Sequence, residues 1–569
     1  MRRARPPRRR TGVDLTNAPS QGRTKPFAGV FAPLASPIFA AIWWASLVSN
    51  FGGMIQSVGA SWMMTAISAT PDMVAYVQTA ATLPIMAFAL IAGALADTID
   101  RRLLMIGALS LMMAASAGLA LLATFGGLGP WTLLAFTFLI GSGGALYAPA
   151  WQASVVDQTP REDFAAAVAL NSLGFNLARA VGPAIGGLIV AAGGATAAFA
   201  INAASYIGLI VVLARWRRPA QISSLPPEPL WPAISAGLRY VALSPPLVAV
   251  MVRSSLFGLC AAALWALLPV VAREGLGGGP LTYGILLGAF GAGAMGGALA
   301  SARLRERYDS NAIVNGASLA YALAALGIAF AGSAFVVAPA MAIAGAAWVL
   351  ALSTFNIGVQ TSSPRWVAGR AIAVYQMAAF AGLALGAALW GLAAREFGLA
   401  TTLTASGIAL AATLAFAALF PAPGASAQDL APWTPPQPIE EPQIALEHRS
   451  GPIVTEIAYR IEPAHASAFA DVMRALGRIR TRDGARRWRL MQDLDDPAVW
   501  VERFESPTWI DHLRRRTRFT VADSAIRDRL IGYYAAPPLV RRFLERPQGS
   551  TPMGAPHPET PLPDATLQH

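Results

Sequence analysis

Between about residues 38 and 420 the sequence is a series of long apolar runs separated by short polar breaks. A helix needs about 20 apolar residues to cross a hydrocarbon core about 30 Å thick. The pattern predicts twelve crossing helices, at about 38–64, 73–97, 103–125, 131–155, 164–190, 195–215, 246–272, 281–303, 311–332, 335–358, 370–394 and 399–420. After residue 450 the period changes. Ile453, Thr455, Ile457, Tyr459 and Ile461 alternate with Glu456 and Arg460, which is the spacing of a strand with one covered face. Pro463 opens a helix with Phe469, Val472, Met473 and Leu476 on one side. Trp488, Leu490 and Gln492, then Trp500, Glu502 and Phe504, read as paired strands, and a second helix holds Trp509 and Leu513. Strand, helix, two strands, helix predicts a small α+β unit of ferredoxin-like type.

The apolar part repeats itself. Gly93-Ala94-Leu95-Ala96 returns as Gly297-Ala298-Leu299-Ala300, 204 residues later (297 − 93). Pro160-Arg161 returns at the same offset as Pro364-Arg365, and Gly182 and Gly187 return as Gly386 and Gly391. Separate echoes in one register indicate an internal duplication. The expected fold class is an all-α polytopic membrane protein of twelve transmembrane helices in two parallel six-helix repeats, plus the C-terminal α+β ferredoxin-like domain. Parallel repeats are related by an axis along the membrane normal, with a substrate site between them near mid-depth.

The expected divisions are a disordered basic cytoplasmic tail at 1–36, six-helix bundles at 37–215 and 246–420, and a central cytoplasmic loop at 216–245. A Pro-rich linker at 421–450, the α+β domain at 451–545 and a disordered tail at 546–569 complete the chain. Pro435, Pro436, Pro438 and Pro442 rule out regular structure in the linker. Within the central loop, residues 233–242 read as a surface helix that places Arg239 among the headgroups.

Composition narrows the class. The chain has 569 residues, of which 55% are hydrophobic and 13% charged, about half the charge of a soluble domain. Cys260 is the only cysteine, so an internal disulfide and a cysteine-based metal site are excluded, and no cofactor or metal is called for. The net charge of +12 is not a nucleic-acid signal, because the arginines cluster in the two ends and in alternate loops. Loops after spans two, four, eight and ten hold Arg101, Arg102, Arg161, Arg305, Arg307 and Arg365, and the long loop after span six adds Arg217, Arg218 and Arg239. The opposite loops hold only Arg273 and Arg395. Positive residues stay inside, so both termini are expected in the cytoplasm and the chain in the plasma membrane.

Individual residues carry candidate chemistry. Gly93 would let helices two and eleven approach closely, and Asp97 lies at a helix end where Arg101 or Arg102 can pair with it. The alternative is that the two arginines only set topology. The copy at Gly297 has Ser301 where Asp97 stands. Gly182 and Pro183 would bend helix five and flatten one face for helix packing. Arg179 lies about 22 Å along that helix, inside the bilayer, where an arginine needs a wet cavity or a partner. It would serve substrate contact or gating, against a purely snorkelling role; its counterpart in the second repeat is Leu383. Arg253 lies nearer the edge. Asn50, Gln56, Gln78, Gln152, Asn171, Asn176, Asn202, Asn356, Gln360 and Gln376 are candidates for cavity lining or for ties between helices. Trp62, Trp151 and Trp265 would contact an apolar substrate or belong to packing and interface belts. No Asp or Glu falls at mid-membrane, which leaves Asp97 as the carboxylate for any proton coupling.

The stretch from Gly93 to Arg102 resembles the loop signature of the major facilitator superfamily, between its second and third helices. Gly182-Pro183-Ala184-Ile185-Gly186-Gly187 resembles the core of the motif that the family's antiporters carry in helix five. The resemblance covers about 38–420, and the tail from 421 to 545 is similar to that of some enterobactin-exporter-like "transmembrane secretion effector" proteins. The pattern departs at Ala169 and Ala178, where the antiporter motif has glycines, and at Thr98, where the family's loop usually starts with a basic residue. The resemblance implies alternating access, with Gly93, Asp97, Arg101 and Arg102 as a cytoplasmic latch. Arg179, Gly182, Pro183, Gly186 and Gly187 would belong to the seam that favours export, with proton coupling. The tail resembles dimeric α/β barrels of the antibiotic-biosynthesis-monooxygenase type, which implies a regulatory or dimerising module. Its His465 and His512 read as surface residues, no reaction is assigned, and the chain is not expected to be an enzyme.

The leading expectation is a secondary exporter of small apolar or amphipathic compounds, such as drugs, siderophores or secondary metabolites. An uptake permease and a membrane-anchored monooxygenase or ligand sensor are the alternatives. No G-x-x-x-x-G-K-[ST] stretch is present, which argues against ATP-driven pumping.

Overall fold

A computed structural model describes residues 29, 31–68, 70–160, 163–216, 230–417, 419–422, 429–433, 442–534 and 536–546, with the backbone alone at 94, 96–98, 156 and 230. The helices run in the order α1 Pro37–Ile67, α2 Pro71–Thr98, α3 Arg101–Thr124, α4 Pro130–Ser154, α5 Phe164–Arg215 and α6 Leu230–Ala242. They continue as α7 Pro245–Val270, α8 Pro280–Arg307, α9 Ser310–Ala329, α10 Ala334–Thr361, α11 Ala368–Phe397 and α12 Leu399–Ala412. Five start on a proline (Pro37, Pro71, Pro130, Pro245 and Pro280), where the missing N–H would have no intrahelical partner anyway. Ser36 and Asp309 cap their helices by accepting from the backbone N–H of Phe39 and Ala312.

Among the described residues, eleven helices are long and apolar enough to cross a membrane. The longest, α5, has 52 residues, and Gly194 (φ 71°, ψ 177°) breaks it into 164–193 and 195–215. Glycine adopts that positive φ at little cost, so the chain can reverse within one residue. In one bundle α1 packs along α5, α2 along α4, and α3 along both α4 and α5. In the other, α7 packs along α11, α8 along α10, and α9 along α10 and α12. The bundles meet through α2 against α11 and α5 against α8.

The C-terminal part is a four-stranded antiparallel sheet in the order β2-β3-β1-β4, with β1 Ile453–Arg460, β2 Arg486–Gln492, β3 Val499–Ser506 and β4 Leu539–Leu544. Helix α13 Ala466–Asp483 packs Phe469, Val472, Met473 and Leu476 against Ile457, Tyr459 and Phe504. Helices α14 Trp509–Arg518 and α15 Val521–Asp528 follow β3. The strand β4 is absent from the sequence pattern because Leu539-Val540-Arg541-Arg542-Phe543-Leu544 does not alternate, yet it completes the sheet beside β1.

Three expectations change. Residues 32–35 of the expected disordered tail form a 3-10 turn whose Leu34 packs beside Phe39 and Trp43; the rest of that call, to residue 28, and the tail from 547 lie outside the described residues. The linker is docked wherever it is described: Trp433 N–H donates to the Phe519 carbonyl at 2.8 Å, and Val521 N–H donates to that of Ala431 at 3.0 Å. Its prolines forbid helix but leave the Trp433 N–H free to donate and the Ala431 carbonyl free to accept. The expected surface helix forms as α6, and its Arg239 also reaches the C-terminal domain, with Nε 3.5 Å from the Arg482 carbonyl. Beside it, Arg482 lies over the Tyr240 ring, Tyr240 meets Trp366 edge to face at 5.4 Å, and Arg518 lies over Trp366 at 4.3 Å. This ladder of cation and ring fastens the domain to α6 and to the loop before α11.

The third change concerns His512, which is 2% exposed rather than on the surface. Trp509 stacks on it at 5.2 Å, and among the described residues neither ring nitrogen has a hydrogen-bond partner. Burial, then the positive charges of Arg515, Arg516, Arg542 and Arg480, push its pKa down to about 3. The unfolded chain takes up this proton near pH 6.5 and the fold does not, so stability falls as the pH drops below that value. Between pH 6.5 and 5 the domain should lose about 2 kcal/mol relative to a His512→Leu variant. Hydrogen exchange of β1 and β3 in the full chain at matched pH would read this, and parallel profiles for the two proteins would refute it.

Candidate transport pathway

The seams between helices are built from missing side chains. A Cβ at Gly182 would strike Met54 of α1, and one at Gly186 would press on Ile55 and Val58. At Gly187 it would meet the backbone of Pro280, Leu281 and Gly284 in α8. The echoes do the same work. Gly386 faces Leu259 and Ala262 of α7, and Gly391 faces Asp72 and Ala75 of α2. Gly182 and Gly386 therefore seat a helix within its own bundle, whereas Gly187 and Gly391 hold the two bundles together. In α8, Gly284, Gly288 and Gly291 complete the seam against Pro183, Ala180 and Arg179. Their regular small-residue spacing was a signal that the sequence reading did not use.

These contacts lie towards one end of the bundles, opposite the C-terminal domain. At that far end Asp72, at the start of α2, is 3% exposed and accepts from Arg395 of α11 at 3.4 Å. Thr79 Oγ1 donates to the Ala384 carbonyl at 3.1 Å, and Trp62 stacks on Tyr283 at 6.4 Å. The far end is thus closed by contacts between bundles. The sequence reading passed over Asp72, although Arg395 stood out as one of two basic residues in that set of loops.

Arg179 sits where α5, α7 and α8 meet. Its backbone carbonyl packs against Gly291, and its guanidinium lies 5.9 Å from the Trp265 ring. Among the described residues no hydrogen bond or ion pair compensates it, and Trp265 Nε1 is buried without a partner. Trp265 meets Phe290 at 4.7 Å and Trp348 at 6.0 Å, the edge of an aromatic cluster that includes Phe257 and Tyr321. Two unsatisfied donor groups therefore stand side by side against an apolar aromatic wall.

The other candidates scatter. Arg101 donates to the Ala153 carbonyl at 2.9 Å and lies 3.6 Å from Asp157. Arg102 caps the end of α5, donating to the carbonyls of Leu213 and Ala214. Both fasten elements within one bundle. Asp97 ends α2, but its side chain is outside the described residues. The close approach expected at Gly93 does not occur, since a Cβ there would meet nothing within 4 Å; α2 and α11 approach at Gly391 instead. Arg305, 204 residues after Arg101, reaches Ser353 of α10 at 2.9 Å.

Gln56 is a tie, not lining: it is 5% exposed and accepts from Asn202, which also donates to Ser116 and Tyr206. Arg253 joins α7 to α9 through Asn311 and Asn315. Asn176 donates to the Ser172 carbonyl, and Asn356 accepts from Gln360 on the same helix. Asn50, Gln78 and Gln376 are half-buried, Gln152 is exposed, and Asn171 Nδ2 is buried without a partner. Trp151 stacks on Tyr147 within α4, a packing role.

Two helical bundles meeting across glycine seams form a multi-pass membrane transporter of the major facilitator type. Solved structures share the fold: a bacterial homologue of the human lysosomal transporter Spinster, in an inward-facing and unoccupied conformation, is 15% identical. It matches with TM-score 0.54 over 68% of this chain and 95% of its own. The nucleoside transporter NupG is 12% identical, with TM-score 0.56 over 67% of this chain and 100% of its own. The chain belongs to the transmembrane secretion effector family, which matches residues 28–548. Among curated relatives, the multidrug efflux pump Tap of Mycobacterium tuberculosis is 27% identical over 397 residues, covering 67% of this chain and 93% of that pump. Its counterpart in Mycolicibacterium fortuitum is 26% identical over 377 residues, covering 64% and 91%.

The Asp72–Arg395 pair should hold the far end shut. Arg395→Ala leaves a buried carboxylate uncompensated, which favours any state in which water reaches it. A Thr79→Cys reporter should then react with a polar maleimide roughly tenfold faster, about 1.4 kcal/mol of shift, and Arg395→Lys should restore most of the protection. Equal rates in all three backgrounds would remove the pair as a gate.

Proposed function

We propose that the protein exports small amphipathic or apolar compounds by alternating access, with Arg179 and Trp265 at the substrate site. The observation that carries this reading is the juxtaposition of an uncompensated guanidinium and an unpartnered indole N–H against aromatic side chains, where the two bundles meet. A carbonyl or anionic group on an otherwise apolar substrate would satisfy both donors, and the aromatic wall would take its apolar body. Membership in a family whose relatives include multidrug efflux pumps supports export.

Reading α5 as two crossings at Gly194 makes twelve spans in two repeats, with both termini on one side. The arginine bias places that side in the cytoplasm of the plasma membrane, so the far end faces out and the closed state opens inward. Proton coupling would use Asp97 at the cytoplasmic edge or Asp72 at the outer gate. The C-terminal domain would regulate transport, and its uncovered sheet face, with Leu539, Phe543 and Met491 exposed, supports dimerisation.

Cysteine at Gly127 should label from outside, and cysteine at Pro364 only after permeabilisation; labelling at Pro364 in intact cells would reverse the orientation. Native Cys260 is buried and leaves a low background.

Arg179 separates function from packing. Arg179→Leu copies the equivalent residue of the second repeat and removes a costly intramembrane charge. In detergent the variant should be at least as heat-stable as the parent. In everted vesicles, accumulation across a panel of amphipathic compounds should fall about tenfold or more, the scale of one lost charge-assisted hydrogen bond. Arg179→Lys keeps the charge without the planar fork and should retain part of the activity. Normal accumulation by Arg179→Leu would defeat the assignment, as would a loss of folding. Removing residues 421–569 should preserve efflux; loss of all efflux together with a catalytic turnover would favour an anchored enzyme.

A further inference from the structure

A crevice of about 580 Å³ opens between α6 and the C-terminal domain. Arg239 and Leu243 form one wall, and Arg474, Arg478, Arg486 and Arg487 are on the other, with Trp488 behind them. Five arginines line it without one acidic residue. Arg474 and Arg487 have partners outside the lining, in Asp471 and Glu505 at 3.0 and 3.2 Å. Arg478 and Arg486 make no hydrogen bond or ion pair among the described residues.

The backbone is shaped to bring these charges together. Between Arg486 and Arg489 the pairing of β2 with β3 slips, since Arg486 faces Glu505 and Arg489 faces Arg503. The extra residue is taken up at Arg487, whose φ of 49° is the only positive value outside glycine among the described residues. A regular strand would send Arg486 and Arg487 to opposite faces; the bulge brings both to the crevice. An arginine held in the left-handed region is strained, and such strain persists where the surroundings over-determine it. Gly477 of α13 contributes as well, because a Cβ there would strike the Trp488 ring.

Position identifies the ligand. Leu243 lies two residues before Pro245, where α7 begins its crossing, so the crevice is at the level of the headgroups. Along α6, Trp231 and Leu238 are exposed seven residues apart, an apolar stripe at the same level. Arginine forks match phosphate oxygens, and arginines grouped beside a crossing helix recognise anionic headgroups.

We propose that this crevice binds the phosphate of an anionic phospholipid and so clamps the C-terminal domain to α6. The required chemistry is a phosphate group, and a soluble phosphate is its other source. The full-length protein in nanodiscs of phosphatidylcholine, with or without phosphatidylglycerol, distinguishes them by hydrogen exchange of residues 230–243 and 474–488. Phosphatidylglycerol should slow exchange there roughly tenfold, and an Arg478→Glu/Arg486→Glu double variant should lose that protection while β1 and β3 exchange as before. Inorganic phosphate added to the neutral discs should leave exchange unchanged. The proposal fails if the two discs behave alike, or if the double variant keeps the protection. Full protection by inorganic phosphate in neutral discs would overturn the lipid as its source.

Discussion

Where the two bundles meet, backbone must lie against backbone, and most of the arrangement depends on that constraint. Lipid is as apolar as leucine, so crossing helices gain little by burying apolar side chains against each other; close packing and polar contacts must hold them. Gly187 on Gly284 and Gly391 on Ala75 and Asp72 provide that packing at one end only. The seam combines close contact with a flat surface on which side chains do not interlock, as the proposed alternating access would require. Gly182 and Gly386 each seat a helix within its own bundle, and Gly187 and Gly391 each face the other bundle.

The charged groups are ordered around this seam by depth. Asp72 and Arg395 pair at the far end, where Arg395 is half exposed and water shares the cost of the buried carboxylate. At the opposite end Arg101 reaches Asp157 and Arg102 donates to the carbonyls that end α5, contacts within one bundle. Among the described residues only Arg179 lies deep in the seam without a hydrogen bond or ion pair, which is why the proposed function assigns it to the substrate.

Much of this was legible in the sequence, for physical reasons that also mark where legibility ended. Crossing helices announce themselves because a bilayer tolerates so few polar residues, and prolines at their first positions sharpen the starts. The short reversal at Gly194 was readable as a break because only glycine turns so sharply. Contacts were harder. Gly93 and Gly187 look alike as letters, yet one meets nothing and the other meets α8, since a glycine's role depends on the phase of its helix against a partner absent from the local sequence. Gln56 looked like cavity lining because a polar residue in an apolar run has two solutions, water or another polar side chain, and Asn202 supplied the second. His512 was misread for a related reason: the run Arg514–Arg516 just after it suggested a wet surface, but Arg515 and Arg518 fold back over aromatic rings and are themselves buried. The strand β4 escaped because it is an edge strand with neither face well covered, and such a strand need not alternate.

The C-terminal domain is fastened to the membrane helices rather than standing apart from them. Its ladder of Arg482, Tyr240, Trp366 and Arg518 grips α6 and the loop before α11, both parts of the second bundle's surroundings. Helix α6 also touches α2 of the first bundle, on the same helix that carries Asp72 at its far end. Under the proposed alternating access, rotation of one bundle on the other would slide α2 past α6 while the domain stays with α6. The free energy of the domain's grip on α6 would then enter the balance between the two proposed states, and a ligand that tightens that grip in one state would shift the balance by its difference in affinity for the two.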